Sequence, residues 1–247
     1  MPHHLDVLPT TSAPFRLERD MVAPLLQVLP QSLRLPDASL CRVLREVDLV
    51  RIIPDVLIGV WKGAGALPVR PRSDYLEAHI LALLEQRRGW TADTLADELF
   101  STRAKLARTL GRLERRGLVT RSERGGYALT PSWNTYLLDI IAVEVKLHRW
   151  REALAQATAY LEFANRAYVV LDGGRVDYSP VLIEAFQAAG VGLMLQYEHQ
   201  VHQVTPAFRV DAIGVRRIHA ADRLFGAARS VWHSEQPDTS LTAAGGA

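Results

Sequence analysis

The eight residues DIIAVEVK, 139–146, decide how this chain folds. Ile140, Ile141, Val143 and Val145 are β-branched and favour extended backbone. In a strand, alternate side chains share a face. Glu144 and Lys146 therefore project together, while Ile141, Val143 and Val145 point the other way into a core. An acid and a cation at the end of a buried strand are costly to place, so the position asks for a functional explanation.

Downstream of this run the pattern alternates. The strand, drawn over 137–146, precedes a helix over 149–164, a strand over 168–171, a helix over 180–189 and a strand over 191–197. Short connections between alternating elements predict neighbouring strands that are at least partly parallel. Upstream, residues 18–33 read as a helix, with Met21, Leu25, Leu26 and Leu29 at helical spacing and Pro24 and Pro30 blurring its ends. The apolar runs 43–50 and 52–61 read as a hairpin of strands. Residues 215–233 read as a last helix, and 234–247 as an unstructured tail. The fold class expected is α/β (α+β), a mixed-sheet core.

The middle of the chain has a different character. Gly63, Gly65, Pro68 and Pro71 mark a linker. A helix over 75–86 follows, then a short helix capped by Thr91 and ending at Phe100, then a third capped by Ser101 and closed near Gly117. Residues 118–121 and 127–130 flank Glu123-Arg124-Gly125-Gly126 as a hairpin. Three helices and a hairpin make the layout of a winged helix-turn-helix. The third helix carries Arg103, Lys105, Arg108, Arg112, Arg115 and Arg116 against the single acid Glu114. Lys105, Arg108, Arg112 and Arg115 cluster opposite Leu106, Leu110 and Leu113. The expectation is a free basic face that binds DNA, with Arg121 and Arg124 of the wing on phosphates. Trp90 and Phe100 are expected in the core, and His199 and His202 as ordinary polar residues.

Composition sets the outer bounds. The 247 residues are 48% hydrophobic and 23% charged, ordinary for a globular chain, and the net charge is only +2, so any basic surface is local. The single cysteine, Cys41, excludes an internal disulfide and fits a reducing compartment. No stretch approaches a transmembrane span, and the first residues lack a secretory signal pattern. These features point to a cytoplasmic protein with no membrane partner.

Pro54-Asp55 opens the run 56–61, and Asp55 is the only carboxylate in a long apolar stretch. Pro54-Asp55 and Glu144-Val145-Lys146, followed by Gln156-Ala157-Thr158-Ala159-Tyr160, resemble the PD-(D/E)XK nuclease superfamily and the QxxxY element of its RecB-like branch. The resemblance covers roughly residues 18–62 and 137–197. It implies a restriction-endonuclease-like core in four parts: 15–73 as the first part of the core, 74–131 as an inserted winged helix-turn-helix, 132–205 as the second part, and 206–247 as a C-terminal helix and tail. It further implies that Asp55, Glu144 and the backbone carbonyl of Val145 hold Mg²⁺, with Mn²⁺ as a substitute, and that Lys146 is the catalytic lysine. Gln156 and Tyr160 would brace the site. Glu46 and Glu18 are further acids that could point into it. Geometrically, Arg149, Ala153, Gln156 and Tyr160 fall on one helical stripe, expected to face the site. Trp150, Leu154, Ala157 and Leu161 fall on the next, expected to be core.

These readings combine into a metal-dependent DNA endonuclease, with DNA as partner and a homodimer as the form open to it. The alternative is a non-catalytic DNA-binding regulator that uses a nuclease-like core as scaffold or dimerisation surface. A protein-interaction module is a third reading.

Overall fold

The computed structural model describes residues 13–36, 41–49, 51–61, 72–87, 89–131, 133, 139–177, 179–198 and 200–226. The expected linker at 62–71, the tail at 234–247 and His199 lie outside the described residues.

A six-stranded mixed sheet carries the core. Its strands are β1 (Cys41–Arg45), β2 (Val56–Val60), β5 (Asp139–Lys146), β6 (Arg166–Asp172), β7 (Gly192–Tyr197) and β8 (Gln200–Thr205), in the spatial order β1-β2-β5-β6-β7-β8. The first three run antiparallel to one another, β5, β6 and β7 are parallel, and β8 returns antiparallel along β7. Helix α1 (Glu18–Ser32) covers one face, packing Met21, Leu25 and Leu29 against Ile141, Val143, Val145 and Val170. Helices α5 (Trp150–Tyr160), α6 (Pro180–Ala189) and α7 (Val215–Gly226) belong to the opposite side, where Ile140, Ala142, Val169 and Leu171 meet Ala153, Ala157, Phe186 and Leu224. The alternation read from 139–146 thus holds on both faces, because the central strand is buried on each side.

Between β2 and β5 in the chain come α2 (Tyr75–Gln86), α3 (Ala92–Glu98), α4 (Arg103–Arg115) and the separate ribbon of β3 (Val119–Arg121) and β4 (Tyr127–Leu129). These elements pack on their own apolar cluster of Ile80, Leu81, Leu95, Leu106, Leu110, Leu113 and Tyr127, joined by Ile218 of α7. Asp74 caps α2 by accepting the Glu77 N–H at 2.8 Å, and the Glu77 carboxylate accepts back from the Asp74 N–H, a reciprocal capping box.

Several boundaries differ from expectation. The strands of the first hairpin are shorter, because Glu46 and Arg51 take left-handed φ of 48° and 71° and Pro54 lacks an N–H for a ladder. Thr102, not Ser101, caps α4, accepting from the Lys105 N–H at 3.4 Å. Phe100 is not core: it is 98% exposed and left-handed at φ 48°. Strand β8 was not anticipated, since its mixed sequence QVHQVT lacks an apolar run. It is an edge strand, and polar residues suit an edge.

Candidate functional site

The β2–β5 register places the two acids together. Val56 pairs with Val143, so Asp55, one residue before β2, lies beside the continuation of β5 into Glu144 and Val145. Where the strand ladder stops, the Asp55 side chain takes over: its Oδ2 accepts the Val145 N–H at 2.7 Å. In a strand the N–H and C=O of one residue point to the same neighbour. The Val145 carbonyl therefore faces Asp55 as well. The Glu46 N–H donates to the Asp55 carbonyl at 3.1 Å, which holds this approach in place.

Glu144 is 2% exposed and fully partnered. Its Oε1 lies 2.8 Å from Lys146 Nζ, and its Oε2 accepts a short hydrogen bond from the Tyr160 hydroxyl. Tyr160 reaches it because Ala153 and Ala157, small and wholly buried, let α5 pack close on the sheet, with Tyr160 one turn further along. Lys146 also lies 3.6 Å from Glu18 Oε2 at the start of α1. Gln156, one turn before Tyr160, buries Oε1 with no hydrogen-bond partner among the described residues. An unpaired buried acceptor is costly and marks a place where a donor would be welcome.

The charges are mutually perturbed. Burial, then the neighbouring Glu144 carboxylate, push Asp55 up to about 6, although the Val145 N–H and Lys146 pull the other way. Burial alone would lower Lys146, but the hydrogen bond and charge of Glu144, with Glu18 and Asp55, outweigh it and hold the ammonium above its ordinary value. Burial and the hydrogen bond to Glu144 push Tyr160 far up, so it stays a donor.

The expected stripe on α5 is rotated. Ala153, Ala157 and Tyr160 form its buried line, with Trp150, Leu154 and Leu161 packed partly against it. Arg149 is exposed, lies 3.5 Å from Glu152, and does not enter the site. Glu46 is exposed and braces the site only through its backbone. Among the described residues, no group of three or more His, Cys, Asp or Glu side chains is placed to hold a metal. The oxygen donors available are the Asp55 and Glu144 carboxylates and the Val145 carbonyl. Such a set suits Mg²⁺, which prefers oxygen and retains several waters, better than a metal that needs a full protein cage.

A second surface lies on α4. Lys105, Arg108, Arg115, Arg121 and Arg124 are exposed. Arg103 is exposed too, but lies 2.9 Å from Asp93. The expectation of a free basic face is corrected here, because part of the face is engaged. Arg112 bonds Asp74 and Glu77, and Arg116 bonds Glu77 at 2.8 Å. Glu77 is only 4% exposed, so these two arginines neutralise a buried acid and tie α4 to α2. A partner 35 residues away in sequence gives no local signal. Arg121 stands over the Tyr127 ring at 5.9 Å, which props the wing.

This region is a winged-helix DNA-binding domain: residues 75–125 match the MarR family. The match covers α2, α3, α4 and β3, ends before β4, and includes no strand of the six-stranded sheet. No curated protein and no solved structure matches the chain. The nuclease reading of the core therefore rests on its own geometry. No helix among the described residues is long and apolar enough to cross a membrane.

Proposed function

We propose that the chain is a metal-dependent DNA endonuclease whose core hydrolyses a phosphodiester while the inserted winged helix holds the DNA. The observation that supports this most is the convergence of Asp55, Glu144 and Lys146 at the seam of β2 and β5, with Tyr160 locking Glu144 from α5. A bound divalent cation would supply positive charge against the phosphate and make an attacking water more acidic. The chain's own residues do the rest. Asp55, carrying a proton more readily than an ordinary aspartate, would release it when a cation arrives. Lys146, held as ammonium, acts by charge on the phosphate oxygens and not as a base. Tyr160 fixes the Glu144 rotamer, and the unpaired Gln156 oxygen offers an acceptor for a water or for the lysine. Cutting two strands calls for two sites, so the working unit in this reading is a cytoplasmic homodimer.

A second reading is a non-catalytic DNA-binding regulator that keeps the core as scaffold or dimerisation surface. The match of residues 75–125 to the MarR family favours it: that comparison supports DNA binding, and none of the comparisons supports cleavage.

The two readings separate on one experiment. Duplex, branched and single-stranded DNA are incubated with Mg²⁺, Mn²⁺ or chelator, using the native chain, Lys146→Ala and Glu144→Gln. The nuclease reading expects metal-dependent cleavage that both variants lose while DNA binding persists. Salt-sensitive binding with no cleavage of any substrate would establish the regulator instead.

A further inference from the structure

Tyr75, the first residue of α2, is 74% exposed. The ring is not loose. It leans in a tilted contact on His79 one turn on, with centroids 4.1 Å apart and planes at 42°, and the His79 Nδ1 is 2.8 Å from the Tyr75 carbonyl oxygen. The His79 contact supports the phenol from one side, while the residue as a whole stays open to solvent.

Tyr75 lines a cleft of about 460 Å³ between the start of α2 and the basic helix α4, whose other lining residues include Lys105, Arg108 and Thr109. Asp74 and Arg112 also line it, but they pair with each other and contribute little net charge. The charge presented to a ligand comes from Lys105 and Arg108, both exposed. Arg108 spends its Nε on the Ala104 carbonyl at 3.3 Å, which orients the guanidinium and leaves four of its five donors. The cleft therefore offers a supported aromatic face next to two cations. That combination fits a nucleotide, with its base on the ring and its phosphate on the cations.

A base inside a duplex hides both faces in the stack. Only an unpaired base can lie on a side chain without first being pulled out. We propose that the cleft binds an unpaired nucleotide of single-stranded DNA adjoining a duplex, with Tyr75 as stacking platform and Lys105 and Arg108 as phosphate contacts. This rests on the DNA-binding reading and deepens it by naming the DNA form: a duplex bearing a single-stranded branch, tail or gap.

The test compares a blunt duplex with the same duplex carrying a short single-stranded tail that has 2-aminopurine at the junction. Binding of the full chain is followed in chelator by anisotropy and by 2-aminopurine fluorescence. The tailed DNA should bind on the order of tenfold more tightly than the blunt duplex, with the fluorescence quenched. Tyr75→Ala should remove that advantage and the quenching while leaving blunt-duplex affinity unchanged, and Tyr75→Phe should keep both. Circular dichroism checks that each variant is folded, as expected for an exposed side chain. Equal affinity for the two DNAs, or a Tyr75→Phe variant as impaired as Tyr75→Ala, overturns the platform while DNA binding stands. Failure to bind either DNA overturns both at once.

Discussion

Asp55→Asn should make the cation-free protein more stable. The Asp55 carboxyl is raised from 3.8 to about 6, first by burial and then by the Glu144 charge. In the unfolded chain both influences vanish. The folded state therefore keeps the Asp55 proton to a higher pH than the unfolded state does. The sign follows from linkage. Below about pH 4 both states are protonated and there is no penalty, the penalty grows between pH 4 and 6, and it is complete above 6. Two units at 1.36 kcal/mol each set a ceiling of about 3 kcal/mol. The side chain is only partly buried, so solvent screening brings the expected value to about 1–2 kcal/mol. Asparagine keeps an oxygen for the Val145 N–H, so the 2.7 Å hydrogen bond survives. Thermal melts of both proteins in chelator should coincide near pH 4 and diverge above pH 6, the variant melting roughly 2–8 °C higher at about 2–4 °C per kcal/mol. Added Mg²⁺ should close the gap by stabilising the native protein alone. A variant that melts lower above pH 6, or a gap that ignores pH, would refute the reasoning.

Other expectations concern the inserted domain and the sheet. Glu77→Ala removes the buried acid that Arg112 and Arg116 both bond and should cost about 3 kcal/mol, read as a lower midpoint in urea. Lys105→Ala with Arg108→Ala should flatten the dependence of log affinity on log salt by about 2 while leaving the melting temperature unchanged, since each phosphate contact contributes a slope near 0.9. Gly192→Ala puts a methyl 2.2 Å from the Tyr168 ring and 3.0 Å from the Ala207 nitrogen, and should destabilise by about 1–3 kcal/mol. Gly111→Ala meets nothing within 4 Å in the middle of α4 and should instead stabilise by about 1 kcal/mol. Both are measured in the same urea series.

The sequence revealed features governed by local rules. Helix α2 was legible to both ends because Asp74 and Glu77 write a capping box and an apolar stripe follows. The alternation in 139–146 correctly separated Glu144 and Lys146 from the Ile141 face, because strand period and burial act within a few residues. Features set by distant partners were not legible. The roles of Arg112 and Arg116 depend on Glu77 across the domain, and the orientation of α5 depends on how closely Ala153 and Ala157 let it approach the sheet. Phe100 misled because a large apolar residue ordinarily argues for burial, whereas here it occupies the left-handed position after α3. The core site was read from order along the chain and a resemblance; the contacts among Asp55, Glu144, Tyr160 and Lys146 are what the structure adds.

The placement of the inserted domain also bears on how the chain folds. β2 and β5 are hydrogen-bonded neighbours, yet residues 61–138 separate them. Bringing them together early would close a long loop, and each halving of that loop lowers the entropic cost by about 0.6 kcal/mol. An insert that folds first draws its own ends together and shortens the span to be closed. In that order of events the winged helix would serve as an internal template for zipping β2 onto β5. Mutations that slow its folding should delay the appearance of the Asp55–Glu144 pair, even though none of them touches either residue.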